Sequence, residues 1–133
     1  MKVRLFALLA GGVISMAAML VFAGPAAAHH SMSMYDRSHD TSFKATINEF
    51  NWSNPHSQII FTVTDDHGNT QKWVAEGPGP NRLANRGWSK ESLKPGDEVT
   101  IVGNCNKDGS PTMRFEKVIL ANGQELDGRG RYY

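Results

Sequence analysis

Five segments in which apolar and polar residues alternate, each closed by a Gly, Pro or Asx turn, predict an all-β domain. A single stretch between the third and fourth segments loses that period and reads as a short helix. Three strands, a helix and two or three further strands is the element order of a small Greek-key barrel of the OB type. The expected fold is therefore an OB-fold-like β-barrel of five to six strands with one short helix. A β-sandwich or an open meander would use the same alternation, but neither calls for a helix at that point.

The elements follow in order. Thr41 to Phe50 places Phe43, Ala45 and Ile47 on one side and Lys44, Thr46 and Asn48 on the other, which is a half-buried strand. The period breaks at Phe50-Asn51-Trp52-Ser53-Asn54-Pro55, because proline donates no hydrogen bond to a ladder and keeps Asn54 extended. Ser57 to Thr64 alternates again through Ile59, Phe61 and Val63, and Asp65-Asp66-His67-Gly68-Asn69 has the composition of a tight hairpin. Gln71 to Glu76 is the third strand, carrying Trp73 and Ala75 on one side. Gly77 to Leu93 holds the helix, opened by Pro80 and stopped by Gly87, with one more turn over Ser89 to Leu93. Lys94-Pro95-Gly96-Asp97 turns into the fourth strand, Glu98 to Asn104; Asn106 to Ser110 turns into the fifth, Thr112 to Leu120. Asn122-Gly123 leads to a short sixth strand, Gln124 to Leu126, and residues 127–133 form a fraying tail.

The composition is uneven, and that sets the domain limits. The 133 residues carry 14 Lys+Arg against 13 Asp+Glu and are 40% hydrophobic. Residues 1–28, however, combine a basic head (Lys2, Arg4), an apolar run from Leu5 to Ala23 and the small-residue end Ala26-Ala27-Ala28. That is the pattern of a cleavable secretory signal peptide. A retained membrane anchor is the alternative, since nineteen residues are long enough to span, but Gly11, Gly12 and the Ala-x-Ala ending suit cleavage better. The expected organisation is a signal peptide over 1–28, an extended His/Met segment over 29–40, the barrel over 41–126 and the tail. The exported product would be periplasmic or secreted, with no membrane association once processed.

Losing Lys2 and Arg4 leaves twelve basic against thirteen acidic side chains. Nucleic-acid binding needs a basic excess, so no nucleic-acid partner is expected. No Walker loop, dinucleotide Gly fingerprint or paired Cys motif occurs, and the lone Cys105 cannot close an intramolecular disulfide.

The most informative chemical group is His29-His30-Ser31-Met32-Ser33-Met34. Imidazole suits copper, zinc and nickel, whereas thioether favours Cu(I), so a His/Met mixture without a neighbouring carboxylate leans toward copper. In an extended segment Met32 and Met34 would share a face. Cleavage after Ala28 would give His29 a free amine and a ring to chelate one ion, with His56 completing the site. Cleavage after Ala27 or Ala26 would make a His the third residue, the position for a square-planar chelate. The plainer alternative is a polar leader in which Met34 and Tyr35 pack on the barrel.

A second group is Trp52-Ser53-Asn54-Pro55-His56, where the proline turn aims His56 and Trp52 offers an aromatic face. The alternative there is a structural corner. Trp73, Trp88 and the Gly77-Pro78-Gly79-Pro80 loop are candidates to line a pocket for a small organic ligand or a periplasmic protein partner. No catalytic residue is assigned: no spacing fixes Asp36, Asp40 and Glu49 on a common face, and Ser31 beside His30 does not by itself supply a base, an orienter and an oxyanion site. The reading is thus a metal-binding or metal-handling protein, copper favoured, through His29, His30, His56, Met32 and Met34. The alternatives are a non-enzymatic binding module using Trp52 and Trp88, or a structural domain.

Several stretches together resemble one family. They are Ala28-His29-His30-Ser31 with Tyr35-Asp36, Glu49 to His56, Glu76 with Pro80-Asn81-Arg82-Leu83, Arg86-Gly87-Trp88, and Leu93 to Asp97. The chain resembles the small exported bacterial proteins grouped as domain of unknown function 6152. That resemblance implies a single exported domain with the double His at its start, and no reaction or ligand. A looser similarity, by residue type only, links Met32, Met34, Trp52 and His56 to periplasmic copper and silver chaperones of OB fold.

Overall fold

A computed structural model describes residues 32–129. The strands are β1 (Thr41–Asn51), β2 (Gln58–Thr64), β3 (Thr70–Glu76), β4 (Glu98–Cys105), β5 (Thr112–Leu120) and β6 (Glu125–Asp127). Helix α1 (Pro80–Ala84) lies between β3 and β4, and a 3-10 turn over Met32–Met34 precedes β1. The strands are ordered β3-β2-β1-β4-β5-β6, and a parallel pairing of β3 with β5 joins the ends. Five strands close into a barrel and β6 adds along β5, the OB-like arrangement that the element order predicts.

The alternation translates directly into two faces. In β1, Ala45 and Ile47 are buried while Lys44 and Asn48 are exposed. Ile59 and Phe61 of β2 are fully buried and pair with Ala75 and Trp73 of β3. Val99 and Ile101 of β4 meet Met113, Phe115 and Val118 of β5 in the same core. Phe115 and Val118 are three apart, which a strict period of two does not allow; the β4–β5 register shifts between Val102 and Gly103, and that bulge resets the phase. Gly103 is required there, because a Cβ would overlap the Arg114 carbonyl oxygen and crowd the Phe115 Cα.

Helix α1 has five residues and would not persist alone. It is held from both ends. Pro80 opens it after Gly79, and Leu83 is fully buried beneath the barrel strands with Trp88 and Leu93. The expected extra helical turn over Ser89 to Leu93 is a serine-bridged turn instead: Ser92 N–H donates to the Ser89 carbonyl at 3.0 Å and Ser89 N–H to Ser92 Oγ at 2.8 Å. Local side-chain bonds of this kind compete with helix.

Two boundaries move. The tail does not begin at residue 127, because β6 runs through Asp127, whose carbonyl accepts the Trp88 indole N–H at 2.8 Å. Gly128 N–H then donates to the Glu116 carbonyl at 2.8 Å. The segment before the barrel is not extended: Met32–Met34 is a 3-10 turn, so the two-residue repeat assumed for Met32 and Met34 is absent. Tyr35 bridges Asn106, Lys107 N–H donates to the Met34 carbonyl at 2.9 Å, and Asp36 N–H to the Cys105 carbonyl at 2.9 Å. This segment is docked on the β4–β5 turn. The signal-peptide assignment, His29 and His30 lie outside the described residues, as do residues 130–133.

Gly103→Ala should lower unfolding free energy by about 3 kcal/mol through overpacking against backbone that cannot give way. Urea unfolding measures it; a loss below about 1 kcal/mol would mean that β5 has slack at the bulge.

Candidate functional site

Three pieces of chain converge on one side of the barrel. The β1–β2 corner reverses at a cis Asn54–Pro55 peptide, and the Gly77-Pro78-Gly79 loop crosses it on the way from β3 to α1. Backbone hydrogen bonds fasten the two: Ser57 N–H donates to the Pro78 carbonyl at 3.2 Å and Gly77 N–H to the Ser57 carbonyl at 3.0 Å. Gly79 passes so close that a Cβ would lie 2.6 Å from the Pro55 carbonyl oxygen and 3.1 Å from Asn54 Oδ1. Only glycine permits that approach.

Between these pieces lies a cleft of about 340 Å³, walled by residues 54–56, the loop 77–79, Asn81 and Arg82 of α1, and Arg114 of β5. Its polar groups are two amides, one imidazole and two guanidinium groups. Arg114 occupies the outward face of β5, opposite Met113 and Phe115, yet is only 7% exposed. Its Nε lies 3.4 Å from Glu116 Oε1. Burial lowers the Arg114 pKa, while Glu116 and Tyr35 oppose that shift and Arg37 adds to it. The group nevertheless remains a cation at any physiological pH. Glu76 stands beside it, since β3 and β5 pair Glu76 with Arg114.

His56 is fixed by its second nitrogen. Nδ1 lies 3.2 Å from the Gly77 carbonyl and 3.7 Å from Glu76 Oε1. A carbonyl can only accept, so Nδ1 carries the proton and, in the neutral ring, Nε2 keeps the lone pair. Tyr35 is buried against the same charges; burial raises its phenol pKa, Glu76 raises it further and Arg114 opposes. The neighbouring Ser57 hydroxyl is fully buried and finds no hydrogen-bond partner among the described residues.

The residues expected from sequence divide unevenly. His56 and the Gly77-Pro78-Gly79 loop line the cleft. Trp52 is half-buried and meets Phe50 edge-on at 5.7 Å. Trp88 is 3% exposed, packs on Phe50 and Phe115 and spends its indole N–H on Asp127, so it is a core residue with no ligand-facing surface. Trp73 stacks near Phe61 and Phe43. Neither Trp52 nor Trp88 lines the cleft. Met34 is half-buried on the β4–β5 turn. His39 is exposed beside Asp36, and His67 is an exposed hairpin residue. Among the described residues no three His, Cys, Asp or Glu side chains gather as a metal site. Asn54, Asn81, Arg82 and Arg114 were missed as site residues. Arg114 in particular alternates outward on β5, which in sequence marks a solvated charge.

Fold and cleft together define a small OB-like β-barrel domain with an arginine-lined polar cleft at its β1–β2 corner. Residues 17–114 match the model of a family of unknown function, DUF6152, and the chain belongs to that family. No curated protein and no solved structure matches it.

The raised Tyr35 pKa has a fixed sign. The folded state favours the neutral phenol, so this contribution to stability is full below about 10 and is lost as pH rises from there through the folded value. The tyrosinate absorbance of wild type minus Tyr35→Phe should show one phenol titrating above the ordinary range. A difference curve with the ordinary midpoint would place Tyr35 in solvent.

Proposed function

We propose that the protein is an exported, non-enzymatic binding domain that holds a small polar molecule in the cleft at the β1–β2 corner. One observation carries this reading: a guanidinium with 7% exposure, Arg114, forms part of the wall of a cleft of about 340 Å³. A concave site with a few fixed polar groups is the ordinary form of a small-molecule site. A donor that is already desolvated bonds an incoming acceptor more strongly than a solvated one does. The walls are tied by backbone hydrogen bonds rather than by mobile side chains, so little ordering is left to binding. Export is supported by the pattern of residues 1–28.

A second reading, a copper site at the processed N-terminus, is favoured by how His56 is held. Metal-binding histidines almost always donate their other ring N–H to a carbonyl or carboxylate, and His56 faces both the Gly77 carbonyl and Glu76. The tethered Tyr35 feels the charge of the same Glu76. His29 and His30 precede Tyr35 by six and five residues, a reach of at most about 16 Å with the 3-10 turn over Met32–Met34 kept. In this reading His29 and His30 are the main ligands, with His56, Met32 or Met34 assisting.

The experiment follows backbone amide signals of the exported chain during a screen of small polar compounds. Hits should cluster on Gly77, Gly79 and Asn81 and be lost in Asn81→Trp, which fills the mouth from an exposed position. Hits spread over the surface would overturn the cleft reading. For copper, the mass of the exported chain gives the first residue, and Cu(II) titration should weaken at least about tenfold in the His29→Ala plus His30→Ala variant, a loss expected for primary ligands. Unchanged copper affinity would remove the second reading.

A further inference from the structure

The polar lining side chains that stand exposed are Asn54, His56, Asn81 and Arg82, whereas Arg114 is buried with its Nε 3.4 Å from Glu116 Oε1. An incoming molecule therefore meets two amides, an imidazole and one solvated guanidinium. Each amide carries two donor hydrogens and an acceptor oxygen, and the guanidinium carries donors alone. The neutral His56 ring, its Nδ1 spent on the Gly77 carbonyl, adds an acceptor at Nε2. Donors and acceptors are thus mixed, and a ligand whose groups each donate and accept satisfies them best. We propose that the cleft holds a neutral saccharide of one or two rings, its adjacent hydroxyls paired with the Asn54 and Asn81 amides and the Arg82 guanidinium; this rests on the cleft being the binding site.

Other ligand classes match these groups less well. A hydroxyl both gives and accepts a hydrogen bond, whereas a carboxylate only accepts and would set its oxygens against the amide oxygens and His56 Nε2. Its ion pair with Arg82 would be a pair with an exposed cation, which contributes little. An amine would meet Arg82 as a like charge. A peptide adding to the wall would need backbone partners, and most are already used. Pro55 and Pro78 have no N–H. The Gly77 carbonyl faces His56 Nδ1, the Pro78 carbonyl accepts from Ser57 N–H, and the Gly79 carbonyl accepts from the N–H groups of Arg82 and Leu83. Adjacent ring hydroxyls, by contrast, match the side-by-side groups of a planar amide or guanidinium. At about 340 Å³ the cleft lies at the small end of the range for small-molecule sites, which suits one or two sugar rings.

The test follows the backbone amides of Gly77, Gly79 and Asn81 and the side-chain amides of Asn54 and Asn81 in the exported chain. The probes are glucose, galactose, mannose, maltose and cellobiose. The comparators are glucuronate as the anion, glucosamine as the cation, N-acetylglycine methylamide as the peptide, and tetrahydropyran-2-methanol as a ring with a single hydroxyl. At least one neutral sugar should saturate these signals, with the single-hydroxyl ring and the capped peptide each at least about tenfold weaker and the two charged sugars no tighter. Asn81→Ala and Arg82→Ala, at exposed positions of α1, should each weaken that sugar about tenfold, the loss expected when a pair of hydrogen bonds is removed. If neither variant folds, the comparison of probes on the unaltered chain decides. Tighter binding of a charged sugar, equal binding of the single-hydroxyl ring or the capped peptide, or unchanged affinity in both variants would overturn the saccharide assignment while keeping the cleft as a site. Silence of these amides toward every sugar would overturn the assignment; if the broader compound screen is equally silent there, the cleft reading falls with it.

Discussion

The parallel pairing of β3 with β5 is the constraint on which the rest of the molecule depends. It consists of three residue pairs, Val74 with Thr112, Ala75 with Met113 and Glu76 with Arg114, and it turns a curved sheet into a closed barrel. Antiparallel hairpins bring neighbours together through short turns, but a parallel pair needs a long crossover. Here the crossover is the entire stretch from Gly77 to Pro111, containing α1, β4 and the docked turn beneath the N-terminal segment. Closure fills the interior, since Phe115 can sit against Gly77 only when β3 is beside β5. It also fixes the exterior, by setting Glu76 and Arg114 shoulder to shoulder at the point where β3 runs into the cleft wall.

An arginine buried to this degree costs desolvation, and the Glu116 carboxylate 3.4 Å from its Nε offsets part of that cost. Tyr35 belongs to the same arrangement. It arrives from the segment ahead of the barrel, bridges Asn106 and lies within electrostatic range of Glu76 and Arg114, and burial favours its neutral phenol. The 3-10 turn and the bonds from Asp36 and Lys107 tie that segment to the β4–β5 turn, so chain upstream of the barrel is brought toward the cleft. Both functional readings therefore depend on one locality: the small-molecule cleft through Arg114, and the copper reading through His56 and the reach of the N-terminal histidines.

Sequence was a good guide wherever burial follows a short period. Ala45, Ile47, Ile59, Phe61, Val99 and Ile101 alternate and are the core, and the position of Pro80 and Gly87 located α1. The corner at Pro55 and the loop at Gly77-Pro78-Gly79 were both legible as special, because proline and glycine restrict or free the backbone in known ways. What defeated sequence reasoning was information carried by long-range pairing. Arg114 faces outward by its period, and nothing near it in sequence reveals that it is nevertheless buried. As an aromatic near the Gly/Pro loop, Trp88 suits a pocket wall or the core equally by sequence, and the bond from its indole N–H to the Asp127 carbonyl, thirty-nine positions away, sets it in the core. The bulge at Val102 and Gly103 is likewise a property of two strands. The leader and the double histidine remain readings of residue pattern alone.

Barrel closure is most directly tested by native-state hydrogen exchange of the Val74 amide, which donates to the Pro111 carbonyl at 3.1 Å across the β3–β5 join. With the barrel closed as described, this amide should be exposed only when the whole domain unfolds, exchanging with the same opening free energy as the core amides of β1 and β2. Exchange by local opening, fast at Val74 while Ile47 and Phe61 stay protected, would contradict it. In that case the join would be a weak seam, and Arg114 would not be held in the wall of a fixed cleft.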